Sequence, residues 1–160
     1  MKQIAIIDNE DYIFQTLNDY AQNQSIKINH ITNTKDLSEK YDLIISNGKR
    51  ENLPNGTIVI HPSLLPAFDE ENAIEKAYLS GVKVSGVTFY NSDRIIAQYP
   101  VIIGIDTNLN ELKENLIEIE KYFIVPIVDA ILNDKVFDFQ DLIKHSCSHK
   151  NGCSGCGKCR

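Results

Sequence analysis

The sequence predicts an α/β fold with one mostly parallel β-sheet flanked by helices. Three observations lead to this fold class. In the first half of the chain, short apolar runs alternate with helical segments, a pattern typical of parallel strands joined by helical crossovers. Two further strand-like segments, separated by a short polar turn, add a hairpin of antiparallel strands. A long amphipathic helix follows, and the 160 residues are about one domain's worth.

Six segments have the composition of β-strands. The first contains an apolar run from Ile4 to Ile7, which is typical of a strand buried on both faces. The predicted strands are residues 2–7, 26–31, 42–46, 57–61, 82–90 and 94–103. Pro100 interrupts the last of them. We expect residues 57–60 to form a central strand and residues 91–93 to form the hairpin turn.

Four segments have helical character. Residues 12–20 carry an apolar stripe, and Asp8 or Asn9 is suited to cap the helix that they predict. Residues 34–40 predict a short helix or turn, and residues 69–80 predict a helix with acids in its first turn. Residues 109–132 predict a long amphipathic helix lying over the strand at 57–60, with Asp106 or Thr107 as its cap.

Charge and composition exclude several functional classes. The net charge is −6, and the acidic body of the chain argues against binding to duplex nucleic acid, which requires a broad basic face. No apolar run approaches the ~20 residues that span a bilayer. Asp8 follows the first residues too closely for a signal peptide, so the expected compartment is the cytoplasm.

All four cysteines lie in a basic segment at residues 142–160, which we separate from a domain at residues 1–141. Three of them have the spacing C-x2-C-x2-C, which is typical of an iron–sulfur cluster such as 4Fe-4S. The same thiolates, or three of them with His149, could instead bind zinc, and a tail without metal is the remaining alternative. The predicted metal ligands are Cys147, Cys153, Cys156 and Cys159.

Three motifs carry a resemblance to a known family. They are HPSLLP at residues 61–66, GVKVSGVT at 81–88 and IIAQ at 95–98. Their combination and order resemble the folate-dependent formyltransferases, most closely the phosphoribosylglycinamide formyltransferases of purine synthesis. The resemblance covers about half the chain. It implies a Rossmann-like formyltransferase fold for residues 1–141.

The resemblance also implies a reaction and a set of site residues. Members of this family transfer a formyl group from 10-formyltetrahydrofolate to an amine, so the implied partners are a folate and a small-molecule amine. His61 occupies the position of the catalytic histidine, and either Asn91 or Asp93 stands in for the catalytic aspartate. The loop of Asn47, Gly48, Lys49 and Arg50 corresponds to a shortened folate-binding loop.

Three departures from the family pattern bear on activity. Val59 stands where the family has an asparagine that donates a hydrogen bond to the oxyanion. An acidic turn at residues 8–11 replaces the glycine-rich turn that receives phosphate, and one βα unit fewer precedes Asp42. The resemblance therefore leaves two hypotheses. One is a formyltransferase of weak activity, and the other is a non-catalytic protein whose iron–sulfur or zinc tail acts as a sensor or interaction module.

Overall fold

The computed structural model describes residues 1–37 and 40–135. The predicted metal ligands Cys147, Cys153, Cys156 and Cys159 lie outside the described residues. The strands are β1 (Lys2–Ile7), β2 (Ile26–Ile31), β3 (Leu43–Asn47), β4 (Ile58–His61), β5 (Val84–Tyr90) and β6 (Ile95–Ile102). The helices are α1 (Tyr12–Ala21), α2 (Ala73–Leu79) and α3 (Leu109–Leu132), with a 3₁₀ turn at Thr34–Asp36.

The six strands form one sheet in the order β2-β1-β3-β4-β5-β6. The first four strands are parallel, whereas β5 runs antiparallel to both β4 and β6. Strand β4 lies inside the sheet, where Val59 pairs with Ser46 of β3 and with Tyr90 of β5. The predicted α/β class, the central position of residues 57–60 and the hairpin are therefore confirmed.

Side chains alternate between two apolar layers along the first strand. Ile4 and Ile6 face a large core, whereas Ala5 and Ile7 pack with Ile31 on the opposite face. The large core is covered by α1 and α3, whose buried side chains join those of β3, β4, β5 and β6. Among the described residues, no helix is long and apolar enough to cross a membrane.

The structure corrects two local predictions, the start of α2 and the cap of α3. Helix α2 begins at Ala73 and not at residue 69, because Phe68 adopts a left-handed φ of 53° and residues 71 and 72 form a turn before the helix. The N-cap of α3 is Asn108, whose side chain accepts from the backbone of Glu111 at 2.9 Å. The predicted cap Thr107 instead accepts from the backbone of Gly104 at 3.0 Å.

The long helix α3 has the predicted bounds, but the strands that it contacts are not the predicted one. Helix α3 packs against α1 and α2, and its main contacts in the sheet are with β5 and β6 and not with β4. Pro100 does not end β6, since it pairs with Gly86 on the outermost strand of the sheet. Proline is tolerated on an edge strand because its missing N–H can face solvent.

Candidate functional site

A cavity of about 1040 Å³ lies at the carboxyl ends of the parallel strands. Its lining includes Asp8, which follows β1, Asn47 at the end of β3, and His61 at the end of β4. Helix α3 contributes Leu116 and Glu120 to the opposite wall. Ligands of open α/β sheets bind at this end of the strands, so the cavity is the candidate site.

His61 is almost fully buried, with 3 % of its surface exposed. Its Nε2 lies 2.9 Å from the backbone oxygen of Phe68. Because a carbonyl oxygen only accepts, Nε2 carries the hydrogen and donates it. The Nδ1 atom has no hydrogen-bond partner among the described residues. In the neutral imidazole this second nitrogen is therefore an acceptor, able to take a proton from a ligand in the cavity.

The loop after His61 is fixed to the hairpin by the other family motifs. The Thr88 hydroxyl donates to the oxygen of Ser63 at 2.6 Å and accepts from the backbone N–H of Leu65 at 3.1 Å. The Gln98 amide donates to the oxygen of Leu65 at 2.8 Å. Thr88 and Gln98 are thus positioning residues, which hold the loop that in turn binds His61.

Val59 and His61 project from the same face of β4, since side chains two residues apart share a face. Val59 is buried and offers no hydrogen. Asn47, on the neighbouring strand, has both amide hydrogens engaged, with Asp8 at 3.1 Å and with the Tyr12 hydroxyl at 2.8 Å. Neither residue therefore supplies a free donor for an oxyanion beside His61.

The loop predicted to bind folate lines the same cavity as His61. Gly48 adopts a φ of 90°, and its N–H is bonded to the oxygen of Ile60. Lys49 is exposed and pairs with Asp69 at 3.1 Å. The Nε of Arg50 is buried and has no hydrogen-bond partner. An unpaired buried donor is costly, so Arg50 is the loop residue best suited to a ligand acceptor group.

Asn91 and Asp93 form the hairpin turn predicted from the sequence. The Asn91 side chain accepts from the backbone N–H groups of Asp93 and Arg94, each at 3.0 Å. The Asp93 side chain is exposed and accepts from the hydroxyl of Ser92 at 3.2 Å. The described residues that line the cavity include His61 but neither Asn91 nor Asp93. The structure therefore brings His61 and the loop of residues 47–50 together in one cavity. It places Asn91 and Asp93, the two candidates for the catalytic aspartate position, outside that cavity.

An acidic network forms the floor of the cavity. The Asp8 carboxylate is fully buried and accepts from the backbone of Ile13 at 2.9 Å and of Glu10 at 3.1 Å. The Tyr12 hydroxyl donates to Oε2 of Glu120, which is 3 % exposed. The N-cap of α1 is Asp11, with a left-handed φ of 64°, and not the predicted Asp8 or Asn9. Asp8 instead accepts from the N–H of Ile13 in the first turn of the helix. Glu120 is a buried acid whose contact is a tyrosine rather than a base.

Burial is the main cause of the unusual acid–base character of this floor. It raises the pKa of Glu120 to about 7, with further increases from the charges of Asp8 and Glu10, although the Tyr12 hydrogen bond acts in the opposite direction. Burial, followed by the charge and hydrogen bond of Glu120, raises the pKa of Tyr12 far above its usual range. Near neutral pH, Glu120 is therefore present in both its protonated and its ionised form.

Tyr12 and Glu120 were not singled out by the sequence analysis. The signal for Glu120 was present, because it lies four residues after Leu116 and three before Phe123, on the apolar stripe of α3. An acid on the buried stripe of an amphipathic helix requires a polar partner or a functional role. Tyr12 had no comparable signal, since a tyrosine at the start of an amphipathic helix is an ordinary core residue.

Metal binding in the described part of the chain has no support. Within residues 1–37 and 40–135, no group of three or more His, Cys, Asp or Glu side chains is arranged to hold an ion. The cysteine-rich segment lies outside those ranges, so its predicted iron–sulfur or zinc site stays a prediction.

Comparison with known proteins identifies the family of the chain. The model of the family described as formyl transferase matches residues 3–128. Phosphoribosylglycinamide formyltransferase of Bacillus subtilis is 33% identical over 81 residues, which cover 47% of this chain and 42% of that protein. Methionyl-tRNA formyltransferase of Thermotoga neapolitana is 27% identical over 88 residues, which cover 51% of this chain and 28% of that protein. The matched segment thus spans less than half of either relative.

A solved structure extends the likeness over the fold. Phosphoribosylglycinamide formyltransferase from Anaplasma phagocytophilum superposes with a TM-score of 0.67 at 23% identity, covering 88% of this chain and 91% of that chain. At this identity the likeness shows the fold alone, whereas the family model covers most of the sequence. The chain therefore belongs to the formyl transferase family.

Proposed function

We propose that the protein transfers a formyl group from 10-formyltetrahydrofolate to an amine in the cavity beside His61. The observation that supports this most strongly is the position of His61, which the family motif identifies and which lines the cavity with Nδ1 unpaired. The family match supports formyl transfer as the reaction class. The proposed compartment is the cytoplasm, as the sequence indicates.

The chemistry requires one proton acceptor. The amine nitrogen attacks the formyl carbon, a tetrahedral intermediate forms, and the bond from that carbon to N10 of the folate breaks. The attacking nitrogen must lose a proton, and Nδ1 of His61 is placed to accept it, since Nε2 is held by Phe68. N10 of the folate receives a proton in turn, and the imidazolium can return it.

The folate is assigned to the loop of residues 47–50. Arg50 offers a buried Nε–H without a partner, and Lys49 lies beside it in the cavity wall. A folate carries carboxylates and ring carbonyls, which such donors bind. The 47–50 loop therefore fits an anionic folate better than the acidic floor does.

Catalysis by this arrangement is expected to be slow. Val59 provides no donor and Asn47 has none free, so the oxyanion lacks the stabilisation expected at this position. Loss of one such donor typically costs about 10² to 10³ in rate. These observations also favour the second candidate function, a folate-binding protein without catalysis.

Two measurements on the same protein separate the candidates. The first is equilibrium binding of 5-formyltetrahydrofolate, a stable folate. The second is formyl transfer from 10-formyltetrahydrofolate to glycinamide and to glycinamide ribonucleotide. We expect binding together with slow transfer. Binding without transfer to either amine would establish the non-catalytic alternative, and absence of both would refute the proposal.

A further inference from the structure

The floor of the cavity is acidic, whereas a site for a phosphorylated acceptor needs positive charge or free N–H donors. We infer that Glu120 and its neighbours bind the ammonium group of an acceptor that carries no phosphate. This inference rests on the proposed function, because it assigns the acceptor to the cavity that also takes the folate. Three observations support it: the Asp8 carboxylate binds backbone N–H groups at the start of α1, the cavity lining is acidic, and Oε1 of Glu120 accepts no hydrogen bond from the described residues.

The Asp8 carboxylate already occupies backbone donors at the amino end of α1. Backbone N–H groups at a helix start are the usual phosphate donors in a fold of this kind. Here the Asp8 carboxylate already accepts from Ile13 at 2.9 Å and from Glu10 at 3.1 Å. Asp8 is also fully buried, so a phosphate would have to displace a carboxylate of the chain itself.

The cavity lining is strongly acidic. It contains eight carboxylate side chains against three basic ones. Two of the basic side chains are already paired, Lys49 with Asp69 at 3.1 Å and Lys113 with Glu75 at 2.6 Å. A field of this sign attracts cations and repels a phosphate dianion. The carboxylates are Asp8, Glu10, Glu51, Asp69, Glu70, Glu71, Glu75 and Glu120.

Glu120 provides a specific ligand atom within this field. It is 3 % exposed and lines the cavity, and only Oε2 is bonded, to the Tyr12 hydroxyl. Oε1 accepts no hydrogen bond from any residue in the described part of the chain. An ammonium group would supply Oε1 with both a hydrogen-bond donor and the opposite charge.

Binding of a cation at Glu120 should release a proton. The groups that face Glu120 are Asp8 after β1, Glu10 in the following turn, Tyr12 on α1 and Asn47 beside Tyr12 on β3. Both carboxylates disfavour ionisation of Glu120, whereas an ammonium ion in the cavity favours it. Proton release on binding is therefore a signature that a purely structural Glu120 would not produce.

The test is isothermal titration of the whole protein with 1,4-diaminobutane, glycinamide, glycinamide ribonucleotide and inorganic phosphate. Glu120→Gln is compared with Glu114→Gln, an exposed residue of the same helix that does not line the cavity. We expect both phosphate-free amines to bind wild type more tightly than the two phosphate probes. Glu120→Gln should weaken amine binding about 10- to 100-fold, the equivalent of one charge-assisted hydrogen bond, and Glu114→Gln should not.

Titration in two buffers of different ionisation enthalpy measures the proton released by wild type near neutral pH. Undetectable amine binding, tighter binding of glycinamide ribonucleotide or phosphate, amine binding unchanged in Glu120→Gln, or binding without proton release would each overturn the inference. The assay contains no folate and requires no turnover. A protein that binds the amine but transfers no formyl group would therefore contradict the proposed function and leave this inference standing.

Discussion

Glu120 gives the most quantitative prediction, because its burial should make stability depend on pH. The pKa of its carboxyl rises from 4.5 to about 7 on folding, so the folded state holds the proton more tightly than the unfolded state. The stabilisation from this group is fully present below the unfolded value of 4.5 and is lost as the pH rises through about 7. At about 1.36 kcal/mol for each pKa unit, the rise corresponds to about 3 kcal/mol.

The perturbation that isolates this effect is Glu120→Gln. Glutamine has the same shape, keeps an acceptor for the Tyr12 hydroxyl and never ionises. Urea unfolding followed by circular dichroism at about pH 5 and about pH 8 gives the free energy of unfolding of each protein under both conditions. The variant's free energy of unfolding relative to wild type should be higher at the upper pH by about 2–3 kcal/mol.

The other carboxylates titrate in both proteins, so their contributions to the free energy of unfolding cancel when the variant is compared with wild type at each pH. Glu114→Gln, at an exposed position of the same helix, should follow wild type at both pH values. The reasoning would be refuted if the difference between Glu120→Gln and wild type were the same at both. It would also fail if the variant lost stability relative to wild type as the pH rose.

Three further predictions concern packing, capping and the tail. Gly86→Ala should lower the free energy of unfolding by at least about 1–3 kcal/mol, since a Cβ there would lie 2.0 Å from the backbone oxygen of Tyr99; a urea midpoint equal to that of wild type would contradict it. Asp8→Ala should cost about 2 kcal/mol by removing the acceptor of the Ile13 N–H in the first turn of α1, and Asp8→Asn should cost less because one acceptor remains. Unchanged urea unfolding in Asp8→Ala would show that water replaces the carboxylate. Protein isolated without oxygen should contain iron and sulfide at Cys147, Cys153, Cys156 and Cys159, and stoichiometric zinc without iron would reverse the choice of metal.

The strands were predictable because their sequences are strongly apolar. The run from Ile4 to Ile7 and the β-branched segment before His61 allow little other than buried strands, and both lie where expected. Helix α2 was predicted too long since acids at a helix start are favourable in general. In the structure, Phe68 has a left-handed backbone and the residues that follow it are not helical until Ala73. Such a conformation depends on the surrounding packing and has no signal in the residue itself.

The candidate site was predictable only as far as the family motif and strand topology reach. His61 and the loop from Asn47 to Arg50 end neighbouring parallel strands, so their meeting in one cavity follows from the fold. The pairing of Tyr12 with Glu120 joins residues 108 positions apart, on two helices whose relative rotation the sequence does not specify. Glu120 therefore became a site residue only when α3 was seen packed against α1.

The central claim is that His61 serves formyl transfer through Nδ1 while Nε2 is held by Phe68. The most direct measurement compares kcat/KM for transfer from 10-formyltetrahydrofolate to an amine in wild type and in His61→Gln. The glutamine amide can keep the donor to the Phe68 oxygen, but it has no nitrogen at the position of Nδ1. Slow transfer by wild type, reduced about 10² to 10⁴-fold in the variant with 5-formyltetrahydrofolate binding unchanged, is the predicted result. Transfer at the same rate in both proteins would contradict the account.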